Sequence, residues 1–372
     1  MNNHKHLVFP LILCVLAALA CEESGKITST PSTGLKTSPS PSQNAKPNGD
    51  RTLEIHINEA ENGDYDQAVE KSKAAGAESV SLSVFWDEIE TTPGVYQPDP
   101  NYLEIANLYY PPQQLAVSLV ISVLDTTQTR LPPDLEGKPL DDPKVISRFK
   151  GLLEYTATQI PDLQLTSLAI GNEIDGVLGE DQEAWQAYRT FFRETSQYAR
   201  RLWPEVPVGT KITFGGLAGP MRETARILNQ ECDVVMVTYY PLAGDFTVHD
   251  PEVVHEDLNQ LVRTYPQKKI YITEIGYPTG AANDSSPEKQ AAFIRETFAA
   301  WDQHADHIPV LSYSWLTDLP PSAVSNLERY YGVSTPAFGE FLRTLGLRTY
   351  PDGGKDKPGY RALKAEAKAR GW

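Results

Sequence analysis

Leu168-Ala169-Ile170-Gly171-Asn172-Glu173-Ile174-Asp175 and Lys269-Ile270-Tyr271-Ile272-Thr273-Glu274-Ile275-Gly276-Tyr277-Pro278 are the two stretches that decide how this chain folds. Each is a run of apolar, β-branched and aromatic residues leading to a glutamate. Each glutamate is followed within a few residues by strand breakers, Gly176 in the first stretch and Gly276 and Pro278 in the second. Short continuous apolar runs of this kind read as strands buried on both faces, as in a parallel sheet covered by helices. Each run therefore delivers a carboxylate to the C-terminal tip of a buried strand. The glutamates are 274 − 173 = 101 residues apart. A βα unit of an eight-fold barrel takes about 30 residues, so the two stand three units apart, as on strands four and seven.

Outward from these stretches, strand-like runs alternate with amphipathic helical ones, the order of an α/β fold with a parallel sheet. The expected strands are Thr52–Ile57, Ser79–Phe85, Ala116–Val123, Leu165–Ile170, Val208–Thr213, Val234–Val237, Lys269–Thr273 and Pro309–Ser314. Eight such runs specify a (β/α)8 TIM barrel. Expected helices cover Tyr65–Ala75, Lys144–Gln159, Glu180–Leu202, Val253–Tyr265 and Pro287–Asp302, with a last one opened by Pro358 at a first helical position. The roughly forty residues between Trp315 and that last helix are too many for a bare loop. A short helix near Ala337–Leu345, covering one side of the site, is expected there.

The N-terminus reads differently. Lys5 precedes an almost wholly apolar run from Leu7 to Ala20 that ends in small residues before Cys21, the pattern of a secretory signal. The run is too short to be a spanning helix, which needs about 20 apolar residues. Cys21 after small residues resembles the lipobox of bacterial lipoproteins, with Ala18 where that pattern usually has Leu. The resemblance implies acylation of Cys21 and export to the cell envelope, to the outer membrane or cell surface in a two-membraned bacterium. Ser24 to Asp50 is Ser, Thr, Pro, Lys, Asn and Gly with almost no apolar side chains, a segment that cannot offset its ordering entropy by burial. The expected organisation is a signal peptide over residues 1–20, a disordered tether over 21–50 and one barrel domain over 51–372.

The remaining composition narrows the function. Net charge is −16; the first fifty residues hold four Lys and three acidic residues, so the rest carries −16 − 1 = −17. That acidity argues against a nucleic-acid partner and is compatible with a neutral polysaccharide. Cys14 lies in the signal and Cys21 at the lipid site, leaving Cys232 without a disulfide partner in the domain. No zinc-ligand spacing occurs, and neither a metal nor a cofactor is expected.

Together these residues resemble clan A of the glycoside hydrolases, barrel enzymes with glutamates at strands four and seven. Asn172-Glu173 matches the clan's Asn-Glu pair, and Ile272-Thr273-Glu274-Ile275-Gly276 its nucleophile segment. Phe85-Trp86-Asp87-Glu88-Ile89-Glu90, with Pro93-Gly94-Val95-Tyr96, is similar to the strand-two exit. Ser312-Tyr313-Ser314-Trp315 is similar to the strand-eight tryptophan, and Asp352-Gly353-Gly354 with Lys357-Pro358 to the closing segment. Gly171-Asn172-Glu173-Ile174 and Thr238-Tyr239-Tyr240-Pro241 resemble family 53 endo-β-1,4-galactanases. Glu274-Ile275-Gly276-Tyr277-Pro278 looks equally like family 17 β-1,3-glucanases. One departure is plain: many members carry an arginine near the end of strand two, and Ser81–Phe85 contains none.

The resemblance implies a retaining glycosidase, probed through two carboxyl groups roughly 5–5.5 Å apart. Glu173 would be the acid/base and Glu274 the nucleophile, with the charge on Glu274 keeping the proton on Glu173. Asn172 would donate to the sugar 2-hydroxyl. Tyr239 or Tyr240 would bond Glu274, and Trp315 and Trp86 would offer faces to sugar rings. His56 and Asp125 lie at other strand tips, where subsite residues belong. The expected partner is a poly- or oligosaccharide bound by a monomer. A non-catalytic carbohydrate-binding lipoprotein is the alternative; a phosphate-dependent lyase or isomerase would need a Gly-rich phosphate loop and a strand-tip lysine other than Lys211. The lipid reading is open to a direct check: Cys21→Ala should move the protein from the membrane to the soluble fraction, and unchanged fractionation would dismiss it.

Overall fold

The structure, a computed structural model, describes residues 45–58, 63–350 and 354–372. The signal, Cys21 and the expected tether up to residue 44 lie outside the described residues. Eight strands form the barrel: β1 (Thr52–Ile55), β2 (Ser79–Phe85), β3 (Ala116–Asp125), β4 (Leu165–Asn172), β5 in two pieces (Val208–Gly209 and Lys211–Thr213), β6 (Val235–Tyr239), β7 (Ile270–Ile275) and β8 (Val310–Tyr313). Neighbours pair in parallel, and β8 returns to β1 with Thr52 opposite Val310 and Ile55 opposite Tyr313. The two pieces of β5 close the ring: Val208 and Gly209 pair with β4, and Lys211 to Thr213 with β6.

A helix follows each strand: α1 (Tyr65–Ala74), α2 (Tyr102–Gln113), α3 (Pro143–Gln159), α4 (Gln182–Leu202), α5 (Arg222–Leu228), α6 (Val253–Thr264), α7 (Pro287–Gln303) and α8 (Pro358–Arg370). Local sequence sets their ends. Asp181 caps α4 by accepting from the backbone N–H of Glu183 and Ala184, and α4 buries Trp185, Tyr188, Phe192, Thr195 and Ala199 along one stripe. Ser286 caps α7, with Pro287 at its first position. Two barrel helices, α2 and α5, were not expected. Pro111 and Pro112 in the last turn of α2 look like breakers. They are tolerated because the helix ends two residues later, at Gln114 with φ +58°.

Between β8 and α8 the chain makes an excursion of two helices, Pro321–Tyr331 and Pro336–Thr344. The second is the one expected near Ala337–Leu345; the first is additional. Trp315, Leu319, Val324, Leu327, Tyr331, Phe338 and Phe341 form a separate apolar cluster beneath them.

The barrel interior carries polar groups as well. Glu54 on β1 is 1% exposed and accepts from the hydroxyls of Ser79 (2.8 Å), Ser118 (2.6 Å) and Ser312 (2.7 Å) on β2, β3 and β8. Burial raises its pKa above the usual carboxylate range, and the three hydroxyls oppose that.

At the opposite end, the domain starts earlier than the expected boundary at Asp50. The Lys46 N–H donates to Asp302 Oδ2, the Asn48 N–H to the Arg370 carbonyl, and Arg51 Nη2 to the carbonyls of Lys46 and Pro47. Asp302 also bonds Arg51 Nη1 and Arg370 Nη2, both at 2.8 Å, with all three side chains at most 9% exposed. Removing one partner of a buried ion pair costs about 3–5 kcal/mol, because a charge is left uncompensated. Asp302→Ala should lose on that order of unfolding free energy in urea and Asp302→Asn less. A loss of only a few tenths would mean that the network does not fasten the N-terminal segment.

Candidate active site

Glu173 follows the last residue of β4. Gly171 has φ +85°, and a Cβ there would meet Ile174 Cγ2 at 2.7 Å, so only glycine fits. Glu173 itself has φ +42°, uncommon for a residue with a Cβ. Its carboxyl is fully buried. Thr126 donates to Oε2 at 2.9 Å and Thr238 to Oε1 at 2.6 Å. Burial, seconded by the charge of Glu274, pushes the Glu173 pKa up to about 8. Glu173 therefore keeps its proton at neutral pH.

Glu274 is near the end of β7 and 1% exposed. Lys211 Nζ on β5 reaches Oε1 at 3.1 Å, and the Tyr240 hydroxyl donates to Oε2 at 2.8 Å. Thr238, which bonds Glu173, is the cross-strand partner of Glu274 after a register shift between β6 and β7. One residue of β6 thus brings the two carboxyl groups together.

The alternation of side chains along a strand separates the two tyrosines. Thr238 and Tyr240 point to the carboxyl groups. Tyr239, between them, points outward and donates to Asp257 Oδ2 at 2.6 Å on α6. It packs against Phe214 and Phe293 and is 0% exposed, away from the site.

Asn172 donates through Nδ2 to Asp125 Oδ1 at 3.0 Å, and its buried Oδ1 has no protein partner. Asp125 also accepts from the Tyr330 hydroxyl at 2.6 Å. Burial raises its pKa to about 6, against the pull of those two donors. Asp125 thus orients Asn172. His56 joins β1 to β7 and β8, with Nε2 3.2 Å from the Thr273 carbonyl and Nδ1 3.2 Å from Ser314 Oγ. Burial, then the Lys211 charge, lowers its pKa to about 3, so the ring is neutral and Nε2–H donates to Thr273. Trp315 leaves β8 and lies 3% exposed against the excursion cluster.

Trp86 departs from the expectation of a sugar platform. It opens the short helix Trp86–Ile89, which turns the indole inward. The ring is fully buried, donates to Glu90 Oε2 at 2.7 Å, and packs edge-to-face on Phe149 at 5.1 Å. It is a core residue. Sequence reasoning in turn missed Thr126, Thr238 and Tyr330. The two threonines flank residues already singled out, Asp125 and Tyr239, and strand alternation was the available signal. Tyr330 is 205 residues from Asp125, and nothing local marks it. Among the described residues, no group of His, Cys, Asp and Glu is placed to hold a metal ion.

No protein-family profile matches the chain, and no curated protein is similar to it in sequence. Solved structures are similar in fold. An exo-β-1,4-mannosidase from Opitutaceae bacterium strain TAV5 matches 86% of this chain at 16% identity with a TM-score of 0.66; the match covers 59% of that protein. A GH5_18 glycoside hydrolase from Streptomyces cattleya, in complex with Manβ1-4GlcNAc, has a TM-score of 0.62 at 16% identity over 82% of this chain and 75% of that one. A family 39 glycoside hydrolase from the gut symbiont Bacteroides cellulosilyticus WH2 has a TM-score of 0.58 at 13% identity over 88% of this chain and 66% of that one. The chain therefore spans well under two thirds of the mannosidase. Such identities establish the shared barrel fold alone.

The tyrosine assignment can be tested in isolation. A hydrogen bond to a charged group contributes about 1.5–3 kcal/mol. Tyr240→Phe should therefore lower the kcat of a reaction that depends on Glu274 roughly 10- to 100-fold. Tyr239→Phe should lower Tm and leave kcat near that of the parent. The reverse pattern would mean that Tyr239 serves the site.

Proposed function

We propose that this protein is a retaining β-glycosidase acting on a neutral β-linked poly- or oligosaccharide. The observation that carries the reading is the buried Glu173–Glu274 pair, with one member protonated and the other facing Lys211 and Tyr240. In the first step the Glu274 carboxylate attacks the anomeric carbon as Glu173 gives its proton to the leaving oxygen, forming a glycosyl ester. The charge on Glu274 is consumed in that ester. The repulsion that kept the proton on Glu173 then disappears, and Glu173 becomes the base that activates water. Asn172, oriented by Asp125, offers its unpartnered Oδ1 and remaining N–H to the sugar hydroxyl beside the anomeric carbon, a contact that tightens in the oxocarbenium-like transition state.

The acidic surface favours a neutral glycan over an anionic one. The disaccharide held by the Streptomyces cattleya protein, Manβ1-4GlcNAc, is a substrate of suitable chemistry to try first. Within this reading Cys21 carries lipid and holds the enzyme, as a monomer, on the cell envelope. Assignment to family 53 or family 17 would rest on the short motifs around Glu173 and Glu274.

Leaving-group dependence and anion rescue test the roles. Glu274→Ala should abolish turnover of every substrate. Glu173→Ala should lose roughly 100- to 10,000-fold on natural glycans and far less in glycosylation by an activated aryl glycoside. Azide should restore Glu173→Ala and yield a β-glycosyl azide, and should give the α-anomer with Glu274→Ala. In the parent, kcat/KM should fall as pH rises through about 8, where Glu173 loses its proton. Equal losses on all substrates without rescue would refute the roles. Saccharide binding without any hydrolysis would make the protein a carbohydrate-binding lipoprotein.

A further inference from the structure

We propose that Tyr330 and Arg130 make this site a chain-end site: they wall off the barrel mouth beside the bound sugar, so the protein removes terminal units and does not cut within a glycan. The inference rests on the glycosidase reading and adds the mode of attack.

The wall is built from distant parts of the chain. Tyr330 lies near the end of the excursion helix Pro321–Tyr331 and donates to Asp125 at the tip of β3. Gln128, in the hairpin after β3, donates to the Tyr330 carbonyl at 3.2 Å. Arg130 fastens the same corner three ways. It donates to the Tyr330 hydroxyl at 3.3 Å and to Asp87 and Glu88 after β2, at 2.9 and 2.8 Å. Its guanidinium also lies 3.7 Å from the centre of the Phe85 ring. β8 and β3 are not neighbours, since β1 and β2 lie between them. An excursion that starts at β8 and is bonded to β3 must pass over the exits of β1 and β2.

Its other flank is also fastened. Tyr240, Leu242 and Phe246, after β6, pack on the excursion cluster. Asn283, after β7, donates to the Ala337 carbonyl at 2.8 Å. The excursion thus borders the mouth from β6 through β8 to β3, whereas the exits of β4 and β5 carry the short helical turns Asp175–Leu178 and Phe214–Ala218. The proton donor Glu173 stands at the β4 exit, on the side of the mouth that the excursion does not border. A leaving group protonated there departs over β4 and β5. The sugar that stays behind faces Asn172, with Asp125 and then Tyr330 directly behind it. A glycan that continued past that sugar would have to run through the Tyr330–Asp125 hydrogen bond.

The test uses the full protein with two kinds of probe. Aryl β-glycosides report hydrolysis itself. Six-unit β-1,4-mannan, β-1,4-glucan and β-1,3-glucan oligosaccharides, labelled at the reducing end, report where the cut falls. The expected result is a labelled product one unit shorter, then two, with no early short labelled fragments. In Tyr330→Ala combined with Arg130→Ala, the ratio of internal to terminal cuts should rise about tenfold or more, the scale at which reshaped pockets change discrimination. This ratio does not depend on how much rate the variant loses. Internal cutting by the parent would overturn the proposal, and that experiment stands even if the variant does not fold. A folded variant with an unchanged ratio would also overturn it. Hydrolysis of aryl glycosides alongside internal cutting would leave the glycosidase reading intact. Failure to hydrolyse any probe would remove both.

Discussion

Glu173 and Glu274 are both buried at the barrel mouth and act on each other electrostatically, so charging both costs more than charging one. The surroundings decide which. Lys211 and Tyr240 converge on Glu274, whereas Glu173 receives only neutral threonine hydroxyls. The inequality comes from strands on both sides, β5 and β6 for Glu274 and the exits of β3 and β6 for Glu173. A closed barrel can supply it because every strand tip faces a common mouth. The arrangement lowers stability. Glu173 titrates at about 8 in the folded protein, against 4.5 for an ordinary glutamate. Between those values the folded state keeps a proton that the unfolded chain has released. Stability is fully present below about 4.5, falls as pH rises, and is lost from this group above about 8.

The polar barrel interior serves the same end. Glu54 is gripped by three serines from three strands, and His56 spans β1, β7 and β8 as a neutral ring. These bonds fix the relative heights of the strands beneath the site, where purely apolar layers would allow more sliding. The cost of burying polar atoms is offset because each hydroxyl finds the carboxylate and the imidazole finds both a donor and an acceptor.

Much of this was legible in the chain. The runs ending at Glu173 and Glu274 announced buried parallel strands, and β2 fell on Ser79–Phe85 as expected. What period and composition reveal is local. Trp86 was misjudged because a tryptophan after a strand looks the same whether the next turn sends it inward or outward; the helix at Trp86–Ile89 sends it inward. The α2 helix was hidden by Pro111 and Pro112, whose cost depends on their position in the last turn. The choice between Tyr239 and Tyr240 needed the strand's phase, which only pairing with β7 supplies. Tyr330 and Lys211 act on residues 205 and 63 positions away, beyond any pattern in the sequence.

The N-terminal fastening has a geometric consequence. Lys46 and Asn48 are pinned to Asp302 and Arg370, at the ends of α7 and α8. The chain enters the barrel from beneath, at the pole opposite the mouth. Residues 45–48 therefore stand on the side of the barrel away from Glu173 and Glu274, and this segment does not approach the mouth.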